Sequence, residues 1–216
     1  MANVAKVLKL TDAGRGKKAE QAEGITIPRF DWRTIRLRVV GDTSLIVHRF
    51  DDKLLDVTRA NGGAFGKPSR GKRPPRDPEA EYNQARYRIG KKDYFPGFTL
   101  KKCITQACQF VDDVRGSLIR SNVFILEDMM EIKGCKPRMD SRTVRVGGMN
   151  KVAMLRYRPI YEKWFFEITV RYNGGVINAN NIVNLFQLAG QSCGLGELRP
   201  GKCGGNNGLF HVELMR

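Results

Sequence analysis

A glycine-rich stretch near the end of the chain has the composition of an anion-binding loop. Residues 194–208 combine six glycines with Arg199 and Lys202. Glycine adopts positive φ readily and lets backbone N–H groups approach a ligand closely, and concave N–H groups beside cations suit phosphate. We therefore predict that Arg199, Lys202, Gly204 and Gly205 contact phosphates, the alternative being an exposed, mobile connection. Because these glycines follow a helix and enter a strand, the loop is neither a Walker loop nor a dinucleotide fingerprint.

Two further segments concentrate positive charge. In the first, from Asn61 to Pro78, glycine and proline exclude regular structure. It is predicted to be a flexible loop that becomes ordered on a polyanion, or else a solvated loop with no ligand. Its five cations are Lys67, Arg70, Lys72, Arg73 and Arg76. The second runs from Lys136 to Lys151 and is predicted to be a basic hairpin or flap. Its candidate phosphate-binding residues are Arg138, Arg142 and Arg145.

The first confident strand, Thr34 to Val40, alternates apolar residues with Arg36 and Arg38. Since successive side chains of a strand point to opposite faces, both arginines lie on the open face of the predicted sheet. Arginines in that position suit a sheet that follows a phosphate backbone, although exposed strands also carry arginine for solubility.

Aromatic residues alternate with cations between Glu81 and Phe95. The rings are Tyr82, Tyr87, Tyr94 and Phe95, and the cations are Arg86, Arg88, Lys91 and Lys92. Rings that stack on unpaired bases and cations that hold phosphates are typical of proteins that bind single strands. Some of these rings must belong to the core, and the sequence does not sort them.

The residues that could perform catalysis are few. The two histidines, His48 and His211, belong to no motif that links them to a nucleophile or a metal. Glu127 and Asp128 stand side by side, but without histidine or a second cluster at a defined spacing they do not predict a metal site. The five cysteines contain no C-x-x-C pair, and we interpret them as reduced thiols. The sequence predicts a protein without catalytic residues, metal or cofactor, in which His48 is the one candidate general base.

The formal charge of +16 and the isoelectric point near 9.9 indicate a polyanionic partner, with nucleic acid as the first choice. No stretch has the length of a transmembrane helix and no long basic amphipathic helix is present, which disfavours a membrane partner. The polar, lysine-rich residues 1–28 are predicted to form a flexible basic arm on nucleic acid or a neighbouring subunit, or a solvated tail. The N-terminus lacks an apolar export signal, so we expect a cytoplasmic protein.

Periodicity places these residues on regular elements. A helix is predicted from Thr99, as its cap, to Val111, with an apolar stripe of Leu100, Cys103, Ile104, Ala107, Cys108 and Val111. A second helix is predicted after the N-cap Asn178, with Ile182, Leu185, Phe186 and Ala189 on one face and Gly190 at its end. A short helix is predicted at 52–59.

Strands complete the predicted order. A buried strand is expected at 123–126, a β-hairpin from 154–157 and 164–172 with Pro159 at an edge or bend, and a last strand at 209–213. This order predicts an α+β fold with an RRM-like, or ferredoxin-like, βαββαβ core and an antiparallel sheet. Residues 29–216 form one domain in this interpretation, with basic insertions at about 61–80 and 134–152.

The helix from Asn178, the sequence Gly-Leu-Gly-Glu-Leu-Arg-Pro-Gly-Lys at 194–202 with trailing glycines, and the closing strand together resemble the glycine-rich loop of the RAMP superfamily. These RRM-like proteins include the Cas5, Cas6 and Cas7 subunits of CRISPR complexes. The chain is also similar to phage-encoded proteins of this size. The resemblance implies a bacterial, cytoplasmic protein, and it likens the basic flap at 136–151 to the thumb of Cas7-type subunits.

The predicted function is non-catalytic binding of single-stranded RNA or DNA through the phosphate backbone. The resemblance implies the Cas7-like version, in which copies coat a strand as a filament, with other complex subunits as further partners. A phage recombination protein that binds or anneals single-stranded DNA is the second hypothesis. A Cas6-like endoribonuclease that uses His48 is the third, and a purely structural interaction protein stays open.

Overall fold

The computed structural model describes residues 29–49, 76–112, 114–146 and 152–215. The predictions for the arm at 1–28, the helix at 52–59 and the cations Lys67, Arg70, Lys72 and Arg73 lie outside these ranges. The strands are β1 Trp32–Gly41, β2 Leu45–Ile46, β3 Tyr87–Ile89, β4 Lys92–Pro96, β5 Val123–Ile125, β6 Met129–Glu131, β7 Lys133–Gly134, β8 Arg138–Val146, β9 Val152–Tyr161, β10 Trp164–Asn173 and β11 Phe210–Leu214. The helices are α1 Pro78–Gln84, α2 Gly97–Ala107, α3 Gly116–Asn122, α4 Ala179–Ser192 and α5 Pro200–Cys203, with a 3-10 turn at Cys108–Phe110.

The main sheet has the strand order β11-β1-β10-β5, and β7 also pairs with β10. Every pairing in it is antiparallel. Strand β1 buries Leu37 and Val39 and turns Arg36 and Arg38 to the other face, as its alternation predicts. Strand β10 likewise buries its predicted apolar residues, which pack against α2 and α4. These residues are Trp164, Phe166, Ile168, Val170 and Tyr172. The apolar face of the sheet is therefore covered by helices, and the arginine face is open.

Two smaller antiparallel sheets adjoin the main one. One has the order β2-β9-β8 and contains the long β8–β9 hairpin, of which only β8 lies within the segment 136–151 that was predicted to be a basic hairpin or flap. The other, β3-β4-β6, carries the segment in which aromatics alternate with cations. The architecture is a mixed α/β fold with antiparallel sheets, compatible with the predicted α+β class.

Both long helices were predicted, with errors at their ends. Asn178 caps α4 by accepting from the Asn181 backbone N–H at 2.8 Å, as expected. The helix does not end at Gly190 but runs to Ser192; Gly190 is needed inside it because a Cβ there would lie 1.9 Å from the Phe210 carbonyl oxygen.

Helix α2 begins at Gly97 with Pro96 as its cap residue, so the prediction that Thr99 caps it was wrong. The Thr99 hydroxyl donates to the Pro96 carbonyl oxygen instead, at 2.5 Å. Val111 was also wrongly placed in the buried stripe, because the helix ends before it and its side chain is exposed.

Three strand or loop predictions were also wrong. Strands β9 and β10 do not form a hairpin with each other: β9 pairs with β8 and β2, whereas β10 pairs with β1, β5 and β7. Pro159 is accordingly not on an edge strand. Pro78, expected in an irregular loop, opens α1, where its fixed φ and missing N–H are tolerated. The expected buried strand at 123–126 ends at Ile125, and Leu126 is exposed.

Candidate nucleic-acid interface

The β8–β9 hairpin carries arginines from both of its strands on one face. Its register places Arg142 directly opposite Arg156 and Asp140 opposite Arg158. Asp140 forms an ion pair with Arg142 at 2.8 Å. Arg138 stands further along the same strand and pairs with Glu162 at 2.7 Å, where both side chains are about 60% exposed. Like charges directly opposite each other destabilise a strand pair, so this face favours an anionic ligand.

Arg145 is the third arginine that the sequence assigned to this hairpin. It lies in β8, in register with Ala153 near the hairpin end. Strand β8 therefore contains all three predicted arginines. Arg138 and Arg142 are four residues apart, and Arg145 lies closer to the tip of the hairpin.

A buried arginine joins this hairpin to the glycine-rich loop. The Arg158 side chain is 3% exposed and lies 3.5 Å from Asp140 and 3.8 Å from Glu197. Burial lowers the pKa of Arg158, while Glu197 and Asp140 raise it. Within the described residues, its Nε and Nη2 atoms have no hydrogen-bond partner. The hairpin and the loop are thus held together by a buried charge with two carboxylates at long ion-pair distances.

The glycine-rich loop is an ordered structure whose polar groups are largely satisfied internally. Carbonyl oxygens of the chain accept hydrogen bonds from backbone N–H groups of the loop, namely the N–H groups of Leu195, Glu197, Gly201, Lys202, Cys203, Gly204, Asn207 and Gly208. Arg199 donates to the Gly196 carbonyl oxygen at 2.6 Å, and Lys202 pairs with Glu197 at 2.7 Å. These contacts favour an ordered loop over a mobile connection, and a phosphate that meets Lys202 must compete with Glu197.

Gly204 and Gly205 have different roles in this loop. Gly204 is exposed, has φ +70° and has nothing within 4 Å of a Cβ placed there, so a ligand can approach it, although its N–H already donates to the Pro200 carbonyl oxygen at 3.2 Å. A Cβ on Gly205 would lie 2.0 Å from the Leu198 carbonyl oxygen, so this glycine is needed for the loop to close. Leu198 itself has φ 55°, a left-handed conformation that costs a non-glycine residue about 1–2 kcal/mol.

His48 lies at the junction of the hairpin and the loop, just after β2. Burial lowers its pKa, Arg156 and Arg158 lower it further, and Glu197 opposes them. The backbone N–H of Glu197 donates to the Ile46 carbonyl oxygen at 2.9 Å, which fixes the loop to the strand that precedes His48. The structure therefore brings His48 together with two segments that the sequence had identified separately.

The lowered pKa of His48 predicts an acid-sensitive stability. As the pH falls through about 6.5, the unfolded chain binds a proton at this imidazole that the folded chain resists, so the free energy of unfolding decreases until the folded pKa is reached. We expect His48→Gln to lose part of the difference in stability between pH 7.5 and pH 5.5, measured by urea unfolding. His211→Gln is the matched control, and an equal effect of both variants would contradict the assignment to His48.

The open face of the main sheet presents its two predicted arginines differently. Arg36 is exposed and borders a cavity of about 360 Å³. Arg38 forms an ion pair with Glu167 at 3.1 Å, and Lys133 contacts the same carboxylate at 2.6 Å. These two hydrogen bonds lower the pKa of Glu167. Arg36 is thus the more available phosphate ligand.

The segment of alternating aromatics and cations is largely used for packing. Phe95 is buried, and the Tyr82 hydroxyl donates to the Pro137 carbonyl oxygen at 3.0 Å. Arg86 is held by Asp93 at 2.6 Å. The exposed cations Arg88 and Lys91 border a cleft of about 710 Å³. Arg76, the one described cation of the flexible-loop cluster, pairs with Glu81 at 2.5 Å.

The residues that sequence reasoning missed are Arg156, Arg158 and Glu197, together with the exposed rings of Phe30 and Trp32. Arg156 and Arg158 share one face of β9 by simple alternation, which was the available signal. No local pattern marks Glu197 as the partner of a distant arginine. Among the described residues, no group of three or more His, Cys, Asp and Glu side chains could hold a metal ion, and no helix there is long and apolar enough to cross a membrane.

Comparison with known proteins finds similarity to solved structures alone. No protein-family model matches the chain, and no curated protein matches it. The structure is similar to the crystal structure of Cmr6 from Pyrococcus furiosus, with a TM-score of 0.43 and 10% sequence identity, covering 86% of this chain and 100% of that chain.

Proposed function

We propose that this protein binds single-stranded nucleic acid through the phosphate backbone. The observation that carries the proposal is the arginine face of the β8–β9 hairpin, where Arg142 and Arg156 stand directly opposite each other. Asp140 holds Arg142 at 2.8 Å, whereas Arg156 forms no ion pair among the described residues, so the pair keeps an excess of positive charge that a phosphate between the two side chains would balance. The formal charge of +16 extends this attraction over the molecule.

The hairpin face continues into the glycine-rich loop, because Arg158 bridges Asp140 and Glu197. The proposed path for the phosphates therefore runs from Arg142 and Arg156 past Lys202 to the exposed Gly204. We take the bound strand to be unpaired, as the sequence resemblance implies.

We further propose that the main sheet and its helices form an RRM-like core. The elements β1, α2, β5, β10, α4 and β11 follow one another in βαββαβ order. Their strand order, β11-β1-β10-β5, places the first and third strands at the centre. On this basis we extend the sequence resemblance to a RAMP-type, Cas7-like role in the bacterial cytoplasm, with copies of the chain arranged along a strand in a nucleic-acid-guided complex or in a phage.

The proposed role is non-catalytic binding. A Cas6-like endoribonuclease is the second candidate, favoured by one observation: burial beside Arg156 and Arg158 lowers the pKa of His48, which favours the neutral imidazole that a general base requires. Slow cleavage of hairpin RNA that disappears in His48→Ala would establish the nuclease. Intact RNA after long incubation with the wild-type protein would leave binding as the function.

The proposal is tested on protein purified gently at low salt. We expect an elevated ratio of absorbance at 260 and 280 nm, and separate digestion with RNase and DNase identifies any bound polymer. Bound RNA of defined length supports the Cas7-like role. Bound DNA, or clean protein that binds and anneals added single-stranded DNA, supports a recombination role. Clean protein without affinity for either polymer at moderate salt contradicts nucleic-acid binding.

The variant Arg142→Gln with Arg156→Gln is expected to weaken binding of all single-stranded sequences to a similar degree. Each lost phosphate contact lowers the slope of log K against log salt by about 0.7–0.9, so the loss of two contacts should lower it by about 1.4–1.8. Fluorescence anisotropy with a labelled oligonucleotide over a salt series measures it. Arg115→Gln with Arg120→Gln removes the same charge from exposed positions at α3, and an equal change in that control would contradict contact at the hairpin.

A further inference from the structure

Three aromatic rings gather at one end of the open face of the main sheet. Phe30 and Trp32 are stacked, with ring centroids 5.1 Å apart and planes 5° apart. Trp32 also meets Phe124 edge to face at 5.8 Å. Phe124 comes from β5, which pairs with β10, so two separate strands contribute to the cluster. We call Phe30, Trp32, Phe124 and the neighbouring Arg171 the aromatic platform.

The platform is exposed, which sets it apart from the other ring clusters. Phe30 is 60% and Trp32 42% exposed, whereas Trp164 and Phe166, which also contact each other, are 2% and 0% exposed. Single exposed apolar residues need no explanation, but a contiguous exposed cluster indicates an interaction site. Because one face of Phe30 packs on Trp32, the exposed area of Phe30 lies on its remaining face and edges.

Cations surround these rings. The Arg171 guanidinium carbon lies 4.7 Å from the Trp32 ring centroid, and Arg171 forms no ion pair within the described residues. The Lys101 ammonium lies 4.0 Å from the Phe124 centroid, held by the Arg120 carbonyl oxygen at 2.8 Å. Arg33 is neutralised by Asp31 at 2.7 Å. Further along the same face of β1 stands the exposed Arg36. The charge of the surroundings therefore suits an anionic ligand with a flat, polarisable part.

We propose that the aromatic platform stacks an unpaired base of a single-stranded nucleic acid, with Phe30 as the receiving ring and Arg171 beside the phosphate. The inference rests on the proposed function and adds to it a site that contacts a base rather than a phosphate. A base that stacks on Phe30 extends the existing Phe30–Trp32 stack by one layer. Stacking accepts every base, so the site predicts affinity for unpaired strands without sequence preference.

The two tryptophans make the platform easy to observe. Trp32 is exposed and belongs to the stack, whereas Trp164 is buried and donates its indole N–H to the Thr43 carbonyl oxygen at 2.8 Å. A base bound on the platform should quench the fluorescence of Trp32 and leave that of Trp164 unchanged. In Trp32→Phe only the buried reporter remains, and we expect the quench to vanish.

The experiment compares uridine and thymidine oligomers of about a dozen nucleotides with abasic oligomers of the same length and charge. The wild-type protein should bind the natural oligomers about fivefold to 150-fold more tightly than the abasic ones, the range for the loss of a base stack. Phe30→Ala should remove most of this difference and leave the affinity for abasic oligomers unchanged. Phe110→Ala is the matched control, because Phe110 is 55% exposed and outside the platform.

Each other outcome overturns the platform, and the outcomes separate it from the proposed function. Equal affinity for natural and abasic oligomers means that the strand is held by phosphates alone, so the function stands and the platform fails. No affinity for either oligomer means that both fail. Self-association of the wild-type protein that Phe30→Ala abolishes, without any effect on oligomer binding, means that the platform is an interface between copies of the chain. Unfolding curves verify that every variant is folded.

Discussion

Asp140→Ala is expected to lower the free energy of unfolding by about 3 kcal/mol. The Asp140 side chain is 6% exposed and lies opposite the buried Arg158, whose other carboxylate, Glu197, is more distant at 3.8 Å. Removing one partner of a buried ion pair leaves an uncompensated charge in a poorly solvated place, which costs about 3–5 kcal/mol. We expect the lower end of that range, because Glu197 stays. Urea unfolding at pH 7 measures the change.

Two variants separate charge from packing at this site. Asp140→Asn keeps the volume and removes the charge, so a loss close to that of Asp140→Ala identifies the charge as the cause. Arg158→Met should cost less, because Asp140 keeps Arg142 at 2.8 Å and Glu197 keeps Lys202 at 2.7 Å. Glu162→Ala removes the exposed partner of Arg138 and should cost less than about 1 kcal/mol. Equal losses in Asp140→Ala and Glu162→Ala would contradict a buried ion pair.

The elements that the sequence predicted well are those whose pattern lies within one segment. The alternation of Leu37 and Val39 with Arg36 and Arg38 predicts strand β1. The apolar stripe and the cap Asn178 predict α4. In these cases the same residues that create the pattern also create the buried face. The hydrophobic periodicity therefore predicts directly which residues are buried.

The wrong predictions concern elements whose pairing depends on residues that are distant in the sequence. Strands β9 and β10 are joined by the short link at Glu162 and Lys163, which favours a hairpin locally. Both edges of β10 are nevertheless taken, one by β1 and the other by β5 and β7, so β9 must pair elsewhere. No feature within residues 152–173 indicates that other strands occupy both edges of β10. The same holds for Arg158, whose partner Glu197 lies in a loop that folds back through backbone contacts with Ser44 and Ile46.

The sequence indicated which cations the candidate site contains, but not whether each of them is already engaged by a neighbouring group. Lys202 and Arg199 were expected to hold phosphates, and the structure places both in the loop but engages them with Glu197 and the Gly196 carbonyl oxygen. Charge composition reports the presence of cations, whereas their availability depends on neighbours that only the fold brings together. The glycine pattern was similarly ambiguous, since close approach to a ligand and close approach to the chain itself require the same residue.

Gly205→Ala is expected to lower the free energy of unfolding by about 2–3 kcal/mol, the cost of overpacking a closed site. The new Cβ would lie 2.0 Å from the Leu198 carbonyl oxygen and 2.8 Å from the Leu198 carbonyl carbon, and backbone atoms cannot turn away as a side chain can. The loop is also fixed beside this point, because Asn207 donates to the Leu198 carbonyl oxygen at 3.2 Å and Gly208 to the Ser44 carbonyl oxygen at 2.9 Å. Thermal or urea unfolding measures the loss.

Gly204→Ala and Gly90→Ala are the matched comparison, because both positions have positive φ, at 70° and 61°, and nothing within 4 Å of a new Cβ. Each should cost about 1 kcal/mol for the left-handed backbone alone, so a loss in Gly205→Ala no larger than theirs would contradict close packing against Leu198. Binding of single-stranded oligonucleotides then separates fold from contact. If a phosphate approaches the open backbone of the loop, Gly204→Ala weakens binding while Gly90→Ala, equally strained in the β3–β4 turn, does not. Equal binding by the two variants would mean that the glycines of this loop serve its own closure, and the phosphate path would end at the arginine face of the hairpin.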